Sequence, residues 1–504
     1  MCRIIGIDLG TTNSVVTLYE GGKLKVLPLQ GQTTTPSVLL FDGGKVEVGH
    51  NAKNKLAILP DKILKSTKSD LGTDKVYTIE GQQITPMMAA SLILKKLKQM
   101  TEEELNDTIN DVVITIPAYF GFKQRNETEQ AAINAGLKPL ALIAEPTAAA
   151  LCYAENKNLE QTLVVVDLGG GTFDVTVLHY YIRQDKDGQQ RPVYEQLGRT
   201  GGNPKLGGDN FDQSIVNWLI QEEGASGYKN ELELLVYAEK AKIDLTSLDV
   251  ADIDCPFVKT TLSRDQYKKL IKPYLDEICK TIKDTVAGAG KKIDEIDRYL
   301  LVGGSCKHPI IQEVIEACVG KKPFISPNPD YIVSQGAALF HHYLTLPLTE
   351  KPIIDIPCPK TLGTDVADYD SNTIKNAILI HEGESLPVSA ANIAELLDGQ
   401  TQLISRVCEG EQEEFESNKE LGKIEIDLKY SGRHPVITVF NVNLSGALSF
   451  ETYEIEICDE TIPDLLELDA SKNSSLVVDW DLWCKFYQNY KSHIHEKIIP
   501  LDIK

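Results

Sequence analysis

The sequence predicts an α/β protein over its first two thirds, followed by a small all-β module and a short C-terminal helix. Three observations carry this. Up to about residue 348, short apolar runs alternate with helical patterns, and glycine-rich turns lie between them. A strand followed by Asp-Leu-Gly occurs twice in that region, at Asp8 and at Asp167. Beyond a proline-rich stretch the pattern changes to alternation without long helices.

In order, Ile4–Ile7, Val112–Ile116, Leu163–Val166 and Tyr299–Val302 read as buried strands, and Met87–Met100, Gln124–Ala135 and Phe211–Glu222 as helices. The stretch Leu346–Pro359 holds four prolines and marks a boundary, because proline ends both helix and ladder. Its centre, Ile353-Ile354-Asp355-Ile356, is more apolar than a passive linker, and a short edge strand is the alternative reading. Ile424–Leu428, Val436–Val442 and Tyr453–Ile457 then read as strands, with a turn over Leu444–Leu448. In the tail, Trp480, Trp483, Tyr487, Tyr490 and Ile494 recur at helical spacing, with Asp479 as cap, and read as a helix that covers apolar surface. The expected domains are 1–348, a linker at 349–357, a β-module at 358–457 and a helical tail at 458–504.

The chain has 504 residues, 42% hydrophobic and 25% charged, the balance of an ordinary globular protein. Its net charge of −22 argues against general affinity for nucleic acid or anionic membrane. The ten cysteines, Cys2 among them, form no C-x-x-C pair, which disfavours zinc or a disulfide framework and reads as reduced thiols in a cytoplasm. The N-terminus runs straight into a strand, and no apolar run reaches the ~18 residues of a membrane span.

The repeat points to a nucleoside triphosphate. Ile5-Gly-Ile-Asp8-Leu-Gly10-Thr11-Thr12 recurs as Val164-Val-Val-Asp167-Leu-Gly169-Gly170-Gly171-Thr172. Glycines let backbone N–H groups approach phosphate oxygens, and the threonines add hydroxyl donors. Two related halves facing each other place Asp8 and Asp167 across one cleft. There they can hold Mg²⁺ through its waters, since carboxylates facing phosphate directly would be repelled. A single copy would read as a tight turn after a buried strand; two copies favour the phosphate reading. No P-loop sequence occurs.

The paired loops resemble the actin, sugar-kinase and heat-shock chaperone superfamily. An ordered set of further segments resembles the seventy-kilodalton heat-shock (DnaK-type) chaperones: Asp8–Ser14, Thr35-Pro-Ser37, Ile116–Phe120, Gln124-Arg125, Glu145–Ala150, Asp167–Asp174, Leu206–Gly208, Leu301–Ser305 and Asn328–Asp330. The resemblance covers about 340 residues and implies a two-lobed actin-like ATPase domain, ATP/ADP and Mg²⁺, with K⁺ as a further ion.

The resemblance also implies roles. Asp8 and Asp167 belong to the Mg²⁺ shell; Glu145 helps place the metal or the attacking water; Lys68 holds that water and the γ-phosphate. Thr11 and Thr172 contact the β- and γ-phosphates, and Asp174 supports the catalytic turn. Gly10, Thr12, Asn13, Gly169, Gly170, Gly171, Gly207 and Gly208 form the phosphate loops. Glu239, Lys242 and Thr246, with Gly303, Gly304, Ser305, Lys307 and Asp330, surround ribose and adenine. Lys307 stands where the family usually has arginine, and a lysine stacks less well on adenine. On spacing alone, Glu239 and Lys242 form an ordinary helix-surface pair. The implied reaction is in-line attack of water on the γ-phosphate, catalysed by positioning and charge without a covalent nucleophile.

The module at 358–457 resembles the family's peptide-binding β-sandwich less closely. Thr364, Ala367, Ala394, Leu403 and Ser405 align with pocket positions that the family fills with larger apolar groups. The tail is too short for the family's helical lid, which implies fast ligand exchange. On the surface expected to face J-domain co-chaperones, Ala141 replaces an arginine and Gly121-Phe122 replaces Asn-Asp, so the apolar Phe122 is expected to mark a different partner surface. Two functions compete. One is an ATP-gated chaperone for unfolded peptide segments, working with J-domain co-chaperones and nucleotide exchange factors. The other is a nucleotide-dependent switch that docks one dedicated protein client. A sugar kinase shares the loops but is disfavoured by Ile116–Phe120, the apolar linker and the β-module.

Overall fold

The computed structural model describes residues 3–155, 157, 159–184, 188–221, 231–255, 258–368, 373–395, 399–429, 434–472, 476–499 and 502–503. Cys2 and Glu222, named above, lie outside the described residues. The chain is a mixed α/β protein that divides into two compact units: Met1–Tyr119 with Glu127–Asp355, and Phe120–Asn126 with Ile356–Lys504.

The first unit is built on two six-stranded sheets. In one, β1 (Ile4–Asp8), β2 (Asn13–Glu20), β3 (Lys23–Val26), β4 (Asp111–Ile116) and β5 (Lys138–Ala144) run in the order β5-β4-β1-β2-β3, and Thr35–Pro36 also pairs with β2. In the other, β6 (Gln161–Leu168), β7 (Phe173–Gln184), β8 (Gln190–Asn203), β9 (Arg298–Val302), β10 (Phe324–Ile325) and β11 (Ile353–Ile354) run in the order β10-β9-β6-β7-β8-β11. The two sheets share a pattern. β1 pairs antiparallel with β2 and parallel with β4; β6 pairs antiparallel with β7 and parallel with β9. Central strands are apolar on both faces, as Leu163–Val166 shows, so they read as continuous runs and not as alternation.

Helices fill the connections: α1 (Pro86–Leu105), α2 (Phe122–Asn134), α3 (Glu145–Ala154), α4 (Gly208–Gln221), α5 (Glu231–Asp244), α6 (Arg264–Leu270), α7 (Lys272–Gly288), α8 (Pro309–Val319) and α9 (Ile332–Thr345). α1 illustrates the local logic. Thr85 caps it by accepting the Met88 N–H, Pro86 occupies the first turn, and Ala89, Ile93, Leu97 and Met100 form the buried stripe. The edge-strand reading of Ile353–Ile354 holds: Val193 and Tyr194 of β8 pair with them in parallel.

The second unit holds two five-stranded sheets. Its strands are β12 (Leu362–Asp368), β13 (Thr373–Ile380), β14 (Val388–Glu395), β15 (Gln402–Glu409), β16 (Lys419–Asp427), β17 (Pro435–Val442), β18 (Leu448–Ile455), β19 (Val477–Val478), β20 (Ile494–Ile499) and β21 (Asp502–Ile503). They run β13-β12-β15-β16-β21 and β19-β14-β17-β18-β20.

Three expectations need correction. The tail is not one helix. Residues after 457 supply α10 (Ile462–Ala470), α11 (Trp480–Tyr490) and strands β19 to β21. Ile494 does not continue the helical stripe: the helix gives way to a 3₁₀ turn at Lys491–His493, and Ile494 then pairs with Ile455 as the start of β20. Phe122 is fully buried and marks no surface. Of the residues aligned with pocket positions, Thr364 and Ser405 meet on neighbouring strands. Thr364 is buried with its hydroxyl bonded to Ser405 Oγ at 2.8 Å and to the Arg406 carbonyl at 2.9 Å, whereas Ala394 belongs to the other sheet.

α11 packs on the β14-β17-β18 face. Asp479 caps it, accepting the Leu482 N–H at 2.9 Å as the sequence suggests. Trp483 and the unforeseen Phe486 join Ile393, Ile437, Val439 and Tyr453 in one core, with the Tyr453 and Trp483 rings 5.1 Å apart. Phe486→Ala is expected to cost about 3–5 kcal/mol. A lower urea midpoint, followed by Trp480 and Trp483 fluorescence in a Trp218→Phe background, checks this. An unchanged midpoint means that α11 is not part of the core.

Candidate nucleotide site

The site grows from the ends of β1 and β6. Asp8 and Asp167 are near-terminal residues of these strands, each followed by a turn that reverses the chain into the antiparallel neighbour. The two turns touch. A Cβ on Gly170 would lie 1.8 Å from Thr12 Oγ1, so only glycine permits this approach. Gly303, at φ +86°, likewise brings the turn after β9 against the Leu168 carbonyl, where a Cβ would lie 2.5 Å away.

Between these turns lies a cavity of about 450 Å³. Asp8, Gly10, Thr11, Thr12, Asn13 and Glu145 line it. Asp167, Gly169, Gly170, Thr172 and Gly208 continue the wall, and Glu239, Lys242, Thr246, Gly303, Gly304, Ser305, Lys307 and Asp330 complete the set foreseen from sequence. Four foreseen residues stand behind the wall. Lys68 contacts Glu145, Gly171 backs Thr11, Gly207 backs Gly170, and Asp174 pairs with Asp167 across the β6–β7 ladder.

One end of the cavity is crowded with carboxylates. Burial, then the charge of Glu145, raises Asp8 to about 7, although Lys68 and a 2.7 Å bond from Thr115 oppose the shift. Burial also pushes Asp167 and Asp174 well up, helped by Glu145 in both cases. Lys68 Nζ lies 2.5 Å from Glu145 Oε1, with side-chain exposures of only 5% and 10%, so this pair is shielded from water. One lysine sits among four carboxyl groups, Glu145, Asp167 and Asp174 buried and Asp8 half-buried, so a further cation would favour their charged forms. Among the described residues, Asp174 Oδ1 and Thr12 Oγ1 are buried without a hydrogen-bond partner. A hydrated divalent cation fits this donor set, because it neutralises the carboxylates and its waters reach groups too far apart for direct ligation.

The other end is less acidic. Lys242 Nζ bonds Asp212 Oδ2 at 2.7 Å and the Gly208 carbonyl at 3.2 Å; Lys53 pairs with Glu239 at 2.8 Å; Lys307 pairs with Asp330. Ser305 Oγ donates to the Gly169 carbonyl at 2.8 Å, tying the turn after β9 to the turn after β6.

The lining residues that escaped the sequence reading include Asp212, Tyr267 and His308, with Asp209 beside them. Burial raises Asp212 to about 6 against the pull of Lys242. Burial, then Arg264 and Lys242, lowers His308 to about 4, so its ring is neutral at neutral pH. Its Nδ1 accepts the Ile310 N–H at 3.2 Å at the start of α8, which places the ring proton on Nε2. Two signals were available: Asp212 follows Gly207-Gly208 within one helical turn, and His308 ends the Gly303–Lys307 turn just before Pro309.

Paired strand–turn units, buried carboxylates at one end of a cleft and a hydroxyl- and glycine-rich wall define a phosphate-binding α/β protein. The comparisons make this specific. The model of the Hsp70 protein family matches residues 4–79 and 73–461. The chain is 37% identical over 470 residues to "Chaperone protein DnaK" of Mycoplasma mycoides subsp. mycoides, covering 89% of this chain and 77% of that protein. The chain belongs to the Hsp70 family of ATP-binding chaperones, whose members are ATPases.

Proposed function

We propose that this chain is an ATP-dependent chaperone in which Mg²⁺-dependent hydrolysis in the first unit gates polypeptide binding by the second. The cluster of Asp8, Glu145, Asp167 and Lys68 beside two touching glycine turns carries the reading. In this reading the two six-stranded sheets are the cores of two actin-like lobes, at 1–348, and residues 349–357 are the linker. The two five-stranded sheets form a β-sandwich that takes the segment 358–457 and recruits strands from 458–504.

The residues divide the work. Asp8 and Asp167 hold the water shell of Mg²⁺. Bound Mg²⁺ neutralises phosphate charge and orients the triphosphate. Lys68 and Glu145 position the attacking water, Lys68 supplying positive charge to the γ-phosphate as negative charge spreads over its oxygens. Thr11, Thr172 and the backbone N–H groups of the turns at Gly10–Asn13 and Gly169–Gly171 donate to phosphate oxygens. Asp174, held behind Asp167 by the strand ladder, keeps that turn in place. Glu239, Lys242 and Thr246 serve the ribose, and Gly303–Ser305, Lys307 and Asp330 the base. Clients are unfolded polypeptide segments in the cytoplasm, with a J-domain co-chaperone and an exchange factor as partners.

The linker supplies the output. Ile353 and Ile354 add to the β8 edge through backbone bonds, and their side chains are half-buried. Releasing them would expose apolar surface, and in this reading ATP and ADP differ in how strongly they favour the docked state. The test is the release rate of a fluorescent leucine-rich peptide from the full chain with ATP and with ADP. ATP is expected to speed release at least several-fold, and Ile353→Asp with Ile354→Asp to abolish the difference. Intact ATPase activity without any peptide binding would overturn the chaperone reading in favour of a switch that docks one dedicated client.

A further inference from the structure

We propose that Cys279 and Cys318 form a redox modification site, a dithiol that hydroperoxides convert to a disulfide joining α7 to α8. The two helices pack against one another. Cys318 Sγ lies 3.6 Å from the carbonyl oxygen of Cys279. Cys279 Sγ lies 3.9 Å from the carbonyl of Val314, one helical turn before Cys318. Each thiol therefore reaches onto the other's helix over the same turn, and the sulfurs share one gap. Both side chains are half-buried, which leaves the pair open to a small oxidant.

The pair is chemically unequal. Hydrogen bonding from Cys279, with Lys283 nearby, brings the Cys318 thiol down to about 7, while the same contact pushes Cys279 up. Burial instead pushes Cys152, Cys358 and Cys408 each up to about 12. A thiolate is the attacking species, so Cys318 reacts first.

The steps balance. The Cys318 thiolate attacks one oxygen of hydrogen peroxide; an S–O bond forms, the O–O bond breaks, and hydroxide leaves and takes up a proton as water. The Cys279 sulfur then attacks the Cys318 sulfur of the sulfenic acid. The S–S bond forms as the S–O bond breaks, and the Cys279 proton leaves with the hydroxide as a second water. Two thiols have lost two electrons and one peroxide has gained them.

The bond would also stiffen one wall of the cleft, where the Tyr267 and His308 rings lie 5.0 Å apart. α7 continues directly from α6, which carries Tyr267, and α8 continues from the turn of Gly303 to His308. This consequence rests on the nucleotide reading above: oxidation should slow release of a fluorescent ADP several-fold, reversibly with dithiothreitol.

The full-length chain is treated with one equivalent of hydrogen peroxide at neutral pH, alkylated, digested without reductant and analysed by mass spectrometry. The expected product is a linked peptide pair containing Cys279 and Cys318, lighter than the reduced pair by two hydrogens. In Cys279→Ser the sulfenic acid should persist on Cys318 and be trapped by dimedone; in Cys318→Ser both the linkage and the fast alkylation at neutral pH should be lost. A wild-type digest without that linked pair, or Cys279→Ser without dimedone on Cys318, overturns the site. A linked pair with unchanged ADP release removes the tether to the cleft and leaves the modification site standing. Failure of the reduced chain to bind ADP would instead count against the nucleotide reading.

Discussion

Lys68→Ala should lower the single-turnover rate of ATP hydrolysis by about 10²–10³-fold and leave ATP affinity within a few-fold, because its charge is needed most where negative charge develops. Lys68 and Glu145 exclude water almost completely, so their 2.5 Å contact is an ion pair at low dielectric. Pulling one partner out of such a pair costs about 3–5 kcal/mol because the other charge is stranded. Rate loss in the single variant therefore mixes lost catalysis with disturbed structure. The double variant Lys68→Ala, Glu145→Gln separates them. It should recover thermal stability, since no charge is stranded, but not the rate. Normal single-turnover hydrolysis in Lys68→Ala would remove Lys68 from the chemistry. Recovery of rate in the double variant would show that the lysine only holds Glu145 in place.

How much of this was legible in the sequence depends on how local each signal is. The phosphate turns were readable because their chemistry is contiguous: the strand, the aspartate and the glycines of Asp8–Gly10 and Asp167–Gly171 are adjacent in the chain, and the second copy reinforces the first. The partnership of Lys68 with Glu145 was not readable in that way. The residues are 77 apart, and nothing near Lys68 distinguishes it from a solvated lysine. Only resemblance singled it out. Asp212, Tyr267 and His308 were missed for the same reason, since they converge on the cleft from α4, α6 and the residue before α8. The tail shows a different failure. The spacing from Trp480 to Tyr490 is helical and continues to Ile494 by coincidence, but β18 offers Ile494 a free strand edge, and tertiary pairing overrides the periodicity.

Asp8→Asn and Asp167→Asn should each weaken ATP binding about 10–100-fold in Mg²⁺, the usual effect of losing a group that orients a metal's shell, and have little or opposite effect in EDTA. Without a cation, burial already disfavours the charged forms of Asp8 and Asp167, and whatever charge they keep repels an anionic triphosphate, so removing one carboxyl leaves affinity unchanged or raises it. With Mg²⁺ that carboxylate is an anchor, and its loss outweighs the relief. Asparagine keeps the side-chain shape, and its carbonyl oxygen still accepts from Thr115 at position 8, so the β1–β4 packing is preserved. Burial makes the Asp8 charge unfavourable in the folded chain, as its rise to about 7 shows, so the neutral variant should unfold at no lower temperature than the parent. A calorimetric titration with ATP in both buffers, beside a thermal melt, reads all three quantities. Equal losses of affinity with Mg²⁺ and with EDTA would assign these aspartates to the scaffold of the turns and not to a metal shell. A drop in melting temperature together with such equal losses would make that assignment complete.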